Sequence, residues 1–310
     1  MNQPYFAVMA ASAALMTLWL ALRLSRRGLK PWWACIGLLL SLPLGLIAAK
    51  LFYILLQGHK VWPSYGWASL LRMEETELSF FGGCVGVMLA MALTALLVKT
   101  PVRQFLDVFA PCGALMAAGA RFAEKYLTMG MLGVGPYFEK HPIFSRMPFA
   151  VTDDWGTSYW AVFMLEMALA LAVAAVSALR KKENLIPGLR LERTAFYLCV
   201  PQIFCESLRL ICLKWGFVRV EQVLCGVAVL GLLLYGCLKT QERSPVKRFW
   251  PVLGGLGCIG ALVALEFALD RSPLPDQVWY GVMIAVLLIF GLLEHFVTRR
   301  RFRQAMKAES

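Results

Sequence analysis

The sequence is poor in charged residues, and this shortage excludes most kinds of soluble protein. Charged residues make up only 16 % of its 310 residues, whereas 59 % are hydrophobic. A soluble domain needs more polar surface, so the composition indicates a polytopic membrane protein. The net charge of +12 does not require nucleic acid as a partner, because Lys and Arg gather at the cytoplasmic ends of membrane spans.

Motifs for metal binding, disulfide formation and nucleophilic catalysis are also lacking. Only three histidines occur, and none has a Cys, His or Asp neighbour at metal-ligand spacing. The nine cysteines form no CxxC pair and lie in apolar stretches, where cysteine behaves as a small hydrophobic residue. No GxSxG motif is found. We therefore expect no metal, no cofactor and no nucleic-acid partner.

Long apolar runs are abundant, and a run of about 20 residues can cross a membrane as a helix. They predict an all-α, polytopic membrane helix bundle with about nine transmembrane helices. With the N-terminus outside, the inside loops carry 20 Lys and Arg and the outside segments nine, which predicts N-out and C-in. The N-terminus lacks the basic start of a signal peptide, so we expect a retained first span. The spans are predicted at 6–22, 32–56, 79–98, 105–120, 157–179, 194–213, 222–238, 249–269 and 277–297.

One polar break divides the chain. The stretch KTQERSPVKR at 239–248 separates seven spans from a terminal pair. It predicts a seven-span membrane domain over 1–238, followed by a transmembrane hairpin and a basic cytoplasmic tail over 239–310.

Several ionisable residues lie inside predicted spans, where each costs roughly 2.5–3.5 kcal/mol. Lys50 and Arg209 fall in the outer part of their spans, and Arg121 directly follows the outer end of the fourth span. Glu206 lies one turn deeper than Arg209, and Glu166 lies near the middle of the fifth span. Intramembrane charges normally pair and face the bundle interior. Because the arginine fork matches phosphate oxygens, we predict a site for an anionic phospholipid among them.

Two interpretations remain open for the pair at 206 and 209. Glu206 and Arg209 are three residues apart and would share one helix face. They could form a local ion pair that lowers the cost of burial. Alternatively, Arg209 binds an anion while Glu206 orients it or handles a proton.

The glycines at the start of the third span also have two interpretations. Gly82 and Gly86 form a GxxxG pattern, whose usual meaning is close helix packing. The alternative is a backbone opened for a ligand at Gly82–Gly83.

The chain carries, in this order, the motifs AAKLFYIL (48–55), SFFGGCVGV (79–87), DVFAP (107–111), GARF (119–122), YLCVPQIFCESLRL (197–210) and VEQVL (220–224). Their order and spacing resemble the prolipoprotein diacylglyceryl transferase family. The resemblance covers residues 35–238 and implies transfer of a diacylglyceryl group from phosphatidylglycerol to a lipobox cysteine of a secreted precursor protein. It also implies that the reaction takes place at the outer face of the plasma membrane and forms a thioether.

Site residues follow from the resemblance position by position. Arg121 matches the arginine of the family's GRxGN signature, and Glu206 and Arg209 match the glutamate and second arginine of its RxxxExxR segment. These three are the candidate catalytic residues. The candidate substrate-binding residues are Lys50, Tyr53, Gly82, Gly83, Glu124, Glu166 and Gln202.

The sequence departs from the family pattern at several of these motifs. Phe81 stands at a histidine, Glu124 at the asparagine of GRxGN, Gln202 at the first arginine of RxxxExxR, and Lys50 at an arginine. Two functions follow. The first is a divergent transferase that uses Glu206 or Glu124 as base. The second is a non-catalytic phospholipid-binding or scaffold membrane protein on the same fold. A transporter is less favoured, since no inverted repeat is visible.

Overall fold

The computed structural model describes most of the chain as a helix bundle. The described residues are 3–70, 77–127, 133, 147–152, 156–180, 183, 185–210, 212–215, 218–242, 244–271 and 273–309. Nine α-helices lie in these ranges: α1 (Gln3–Ser25), α2 (Trp33–Tyr65), α3 (Phe80–Leu97), α4 (Val102–Ala123), α5 (Val162–Leu179), α6 (Leu189–Leu208), α7 (Val220–Leu238), α8 (Pro245–Arg271) and α9 (Asp276–Glu309). The predicted all-α membrane bundle is confirmed.

Two short antiparallel hairpins accompany the helices. Strand β1 (Ala150–Thr152) pairs with β2 (Ser158–Trp160), and β3 (Lys214–Trp215) pairs with β4 (Val218–Arg219). The first hairpin leads into α5 and the second into α7. Most of the predicted outside loop at 121–156 lies outside the described residues.

Eight of the nine helices are long and apolar enough to cross a membrane, and α6 is the exception. It carries Arg190, Glu192, Arg193 and Glu206. More than half of its residues are buried, because α6 packs against α4, α5, α7 and α9. Surrounded by other helices, α6 buries charges that are paired with protein groups instead of facing lipid.

The predicted bounds of the sixth span were wrong by about five residues at each end. It was predicted at 194–213, whereas α6 spans Leu189–Leu208. At the first turn, the Asp107 carboxylate on α4 accepts hydrogen bonds from the Gly188 and Leu191 amides at 2.6 and 2.9 Å. This tertiary cap satisfies amides that a helix start leaves free, so the helix begins earlier. At the other end, Arg209 is extended (φ −77°, ψ 132°).

Two hydrophobic clusters divide the bundle. One joins α1–α4 around Met16, Met91 and Phe105, and the other joins α6–α9 around Phe196 and Phe290. Helix α5 packs on α4 and α6 between them. The C-terminal pair α8–α9 therefore shares its core with α6 and α7.

The GxxxG glycines hold α3 close to α2, as their usual role predicts. A Cβ on Gly82 would lie 2.7 Å from Phe52 Cβ, and one on Gly86 would lie 2.8 Å from Ala48 Cβ. Both distances are shorter than atoms tolerate, so a larger residue would force the helices apart.

A polar contact ties α8 to the ends of α6 and α7. Glu266 accepts a short hydrogen bond from Ser207 Oγ and one of 2.8 Å from Gln222 Nε2. Gln222 Nε2 also donates to Ser207 Oγ at 3.1 Å. These hydrogen bonds hold α8 against Ser207 and Gln222, which directly follow Glu206 and Glu221 in the chain. Glu206 and Glu221 belong to the candidate site described below.

Candidate active site

Six charged side chains and one amide from four helices meet at one end of the bundle. Two of these side chains come from the C-terminal end of α4 and the turn after it, and one comes from α5. Three come from the last turns of α6 and the residue after it, and one comes from the first turn of α7. All six charged residues are at most 9 % exposed. We call this set the arginine–glutamate cluster. Its members are Arg121, Glu124, Glu166, Gln202, Glu206, Arg209 and Glu221.

Arg121 lies at the centre of the cluster. Its Nη1 donates to Glu124 Oε1 at 2.5 Å, and its Nε and Nη2 lie 3.4 and 3.5 Å from Glu166 and Glu221. The Phe80 ring covers the guanidinium, with the ring centroid 3.6 Å from Cζ. The buried Nε and Nη2 atoms of Arg121 have no hydrogen-bond partner within the described part of the chain. Unsatisfied buried donors are rare and costly, so these two are available to a ligand anion.

Arg209 faces the same carboxylates from the end of α6. Its Nη2 pairs with Glu124 Oε2 at 2.6 Å and with Glu166 Oε2 at a shorter distance, and its Nε donates to Glu166 Oε1 at 3.2 Å. Glu206 Oε1 lies 3.5 Å from Arg209 Nε. The predicted pair of Glu206 and Arg209 therefore exists. However, Arg209 makes its shorter contacts with Glu124 and Glu166, on other helices.

Gln202 and Glu206 line the α6 side of the cluster. Gln202 Nε2 donates to Glu166 Oε1 and to Glu206 Oε1, both at 2.9 Å. A neutral amide thus bridges two carboxylates at the position where the family pattern has a cation. It satisfies both oxygens but contributes no positive charge.

Arg219 supports the cluster from β4. Its Nη1 donates to the carbonyl oxygens of Glu206 and Arg209, the latter at 3.0 Å. A cation at a helix C-terminus satisfies free carbonyls and favours the helix dipole. Arg219 therefore fixes the backbone on which Glu206 and Arg209 sit.

The cluster is held together by mutual pairing. It contains two arginines and four glutamates, a formal excess of two negative charges. Removing one partner of a buried pair typically costs about 3–5 kcal/mol, because the other charge is left uncompensated. Each member therefore depends on the others.

Most of the predicted site residues are brought together, and the rest lie on α2 and α3. Lys50 pairs with Glu77 at 2.6 Å, and the Tyr53 ring centroid lies 5.7 Å from Lys50 Nζ. The amides of Gly82 and Gly83 are bonded to Ser79, to its Oγ at 3.2 Å and its carbonyl at 3.0 Å. A binding role for these four residues stays a prediction.

Sequence reasoning missed Glu221, Arg219 and Phe80. Glu221 belongs to the VEQVL motif, and an acidic residue beside a membrane span was a signal that could have identified it. No sequence signal pointed to Arg219 or Phe80, since their contacts depend on how the helices meet.

A second set of buried ion pairs lies at the opposite end of α6. Arg193 pairs with Glu183 at 2.7 Å and with Glu294 of α9 at 2.9 Å. Tyr197 donates to Glu294 at 2.7 Å. Burial raises the pKa of Glu183 despite the arginines around it. These pairs join α6 to α9, and they offer matched controls for the arginine–glutamate cluster.

Comparisons with known proteins identify the family of this chain. Residues 3–238 match the family described as prolipoprotein diacylglyceryl transferase. The chain is also 25 % identical over 216 residues to the phosphatidylglycerol–prolipoprotein diacylglyceryl transferase of Clostridium novyi (strain NT), covering 68 % of this chain and 81 % of that one. The family match over residues 3–238 includes every member of the arginine–glutamate cluster and ends before α8. The chain therefore belongs to the prolipoprotein diacylglyceryl transferase family and is a multi-pass membrane transferase of the inner membrane.

Proposed function

We propose that this protein moves a diacylglyceryl group from phosphatidylglycerol to the lipobox cysteine thiol of secreted precursor proteins, at the outer face of the plasma membrane. Arg121 carries the proposal, because its Nε and Nη2 are buried, lack a hydrogen bond among the described residues and lie beside Arg209. The Arg121 guanidinium, with these two donors and with the positive charge of Arg209 beside it, suits a lipid phosphate.

The reaction breaks the bond between the diacylglyceryl carbon and a phosphate oxygen, and forms a carbon–sulfur bond. The thiol proton goes to a base, and glycerol phosphate leaves with the electron pair and an added negative charge. Arg121 and Arg209 would stabilise that charge as it develops, which is where electrostatic catalysis is most effective.

Glu206 is the base that the geometry favours. Glu124 is engaged by two arginines at 2.5 and 2.6 Å. Among the described residues, Glu206 has one ion pair, at 3.5 Å, and accepts a hydrogen bond from the side-chain amide of Gln202. A carboxylate with fewer cationic contacts is freer to take a proton from an incoming thiol. Glu166, in contact with both arginines, would position them.

The outer-face location rests on the Lys and Arg asymmetry of the loops. The cluster lies where α4 and α6 end and α5 and α7 begin, which is the predicted outside end. A reporter fused after Ser310 should therefore behave as cytoplasmic. A signal from the outer side would reverse the orientation and place the cluster at the inner face.

We also propose that residues 1–238 form the transferase domain, with 239–310 as an additional hairpin. The family match ends at 238, and α8 contacts the preceding domain through Glu266. In this proposal the hairpin supports the ends of α6 and α7.

Complementation tests the proposed activity. In a strain depleted of its own transferase, expression of this chain should restore diacylglyceryl modification of lipoproteins, measured by mass spectrometry. The variant Arg121→Ala, present at the same level in the membrane, should not. A folded wild-type chain that leaves the precursors unmodified would contradict transfer and favour the non-catalytic phospholipid-binding alternative.

A further inference from the structure

Glu124 joins the two arginines of the cluster through both of its oxygens. Oε1 accepts from Arg121 Nη1 at 2.5 Å, and Oε2 accepts from Arg209 Nη2 at 2.6 Å. Two oxygens of one anion, each bound to a different guanidinium, reproduce the way in which two non-bridging phosphate oxygens would be bound. Glu124 thus occupies the position between the arginines that a lipid phosphate needs.

Glu124 is also the bridging carboxylate that can move more easily. Glu166 contacts the same two arginines, but it lies inside α5 with a side chain 2 % exposed, held by Gln202. Glu124 lies in a single 3-10 turn after α4, and its side chain is 11 % exposed. Rotation of the Glu124 side chain would free one donor on each arginine and leave α4 and α5 intact.

Repulsion between like charges favours such a movement. The cluster already holds four carboxylates against two guanidiniums, and like charges at short distance repel strongly in a poorly solvated site. A phosphate diester added to the intact cluster would increase the negative excess. Exchange of Glu124 for the phosphate keeps the charge around Arg121 and Arg209 unchanged.

We propose that Glu124 competes with the phosphate of an anionic phospholipid for Arg121 and Arg209, and so sets the affinity of the site for its lipid substrate. The proposal rests on the proposed transferase function for the identity of the lipid. The competition weakens lipid binding, because every bound phosphate must replace the two short ion pairs of Glu124.

The variant Glu124→Gln tests this competition, since glutamine keeps the shape and loses the charge. The apparent KM for phosphatidylglycerol should fall by at least about fivefold. Native mass spectrometry should show more phosphatidylglycerol retained than by the wild type. Glu183→Gln is the matched control: it removes a buried carboxylate from arginines at the other end of α6 and should leave both values unchanged.

The outcomes separate this proposal from the proposed function. If Glu124→Gln retains more lipid but neither the wild type nor the variant transfers the diacylglyceryl group, the result would support the competition and contradict the transferase activity. Normal transfer with an unchanged or higher KM would overturn the competition alone. Loss of transfer by a folded Glu124→Gln that retains no more lipid than the wild type would make Glu124 a catalytic or positioning group, which also overturns it.

A further arm distinguishes the lipid from free phosphate. Inorganic phosphate is added to Glu124→Gln in place of phosphatidylglycerol vesicles, and protection against thermal unfolding is measured. Stabilisation by the vesicles supports a lipid headgroup. Stabilisation by inorganic phosphate alone would overturn the assignment to a lipid.

Discussion

Replacement of Arg209 by methionine should abolish transfer and lower the free energy of unfolding by about 3–5 kcal/mol. Methionine fills much of the arginine volume but leaves Glu124, Glu166 and Glu206 without their shared cation. Thermal unfolding of the purified protein in detergent, followed by tryptophan fluorescence, measures the stability. Transfer is measured as modification of a lipobox peptide.

Two further variants identify the cause of that loss. Arg209→Lys keeps the charge but not the fork, so it should fold and transfer poorly. The double variant Arg209→Met, Glu166→Gln removes a carboxylate together with its partner and should be more stable than Arg209→Met alone. Additive losses in the double variant would show that the two side chains are not coupled. Wild-type stability in Arg209→Met would contradict the role of the cluster in holding α4, α5 and α6 together.

Replacement of Arg121 by alanine should remove both the retained lipid and the activity. Arg121 pairs with Glu124 through Nη1, and its buried Nε and Nη2 lack hydrogen bonds among the described residues, so its guanidinium would bind a phosphate that replaces Glu124. Loss of a charged donor that acts on a developing charge costs at least about 100-fold in rate. Native mass spectrometry reports the retained phosphatidylglycerol, and the peptide assay reports transfer.

A matched control separates this effect from damage to the fold. Arg193→Ala removes a buried arginine paired with two glutamates at the other end of α6, and it should lower stability without a specific loss of lipid. If Arg121→Ala and Arg193→Ala lose lipid to the same extent, the phosphate site is not at Arg121. Retention of only zwitterionic lipid by the wild type would contradict the anionic specificity.

The sequence by itself determined the class of fold and the family. Long apolar runs are a local property of the chain, and each must form a helix to satisfy its backbone in lipid. The same reasoning marked Arg121, Glu166, Glu206 and Arg209 as charges that require partners inside the bundle, and the structure brings these four together. Hydropathy located the nine described helices but misplaced several of their bounds: α2 and α9 extend beyond the predicted ends, α5 begins later than predicted, and α6 is shifted by about five residues. At the C-terminal end of α6, apolar residues continue in the sequence after Arg209, whereas the helix ends at Leu208.

Only the tertiary structure decided which partner each charge takes. Spacing along one helix paired Glu206 with Arg209, yet the shorter contacts of Arg209 are with Glu124 and Glu166 on neighbouring elements. Such pairings depend on the rotation and tilt of each helix, which are set by packing between helices and leave no local pattern in the sequence. For the same reason the sequence did not reveal that Lys50 pairs with Glu77, and a role for Lys50 in phosphate binding stays a prediction.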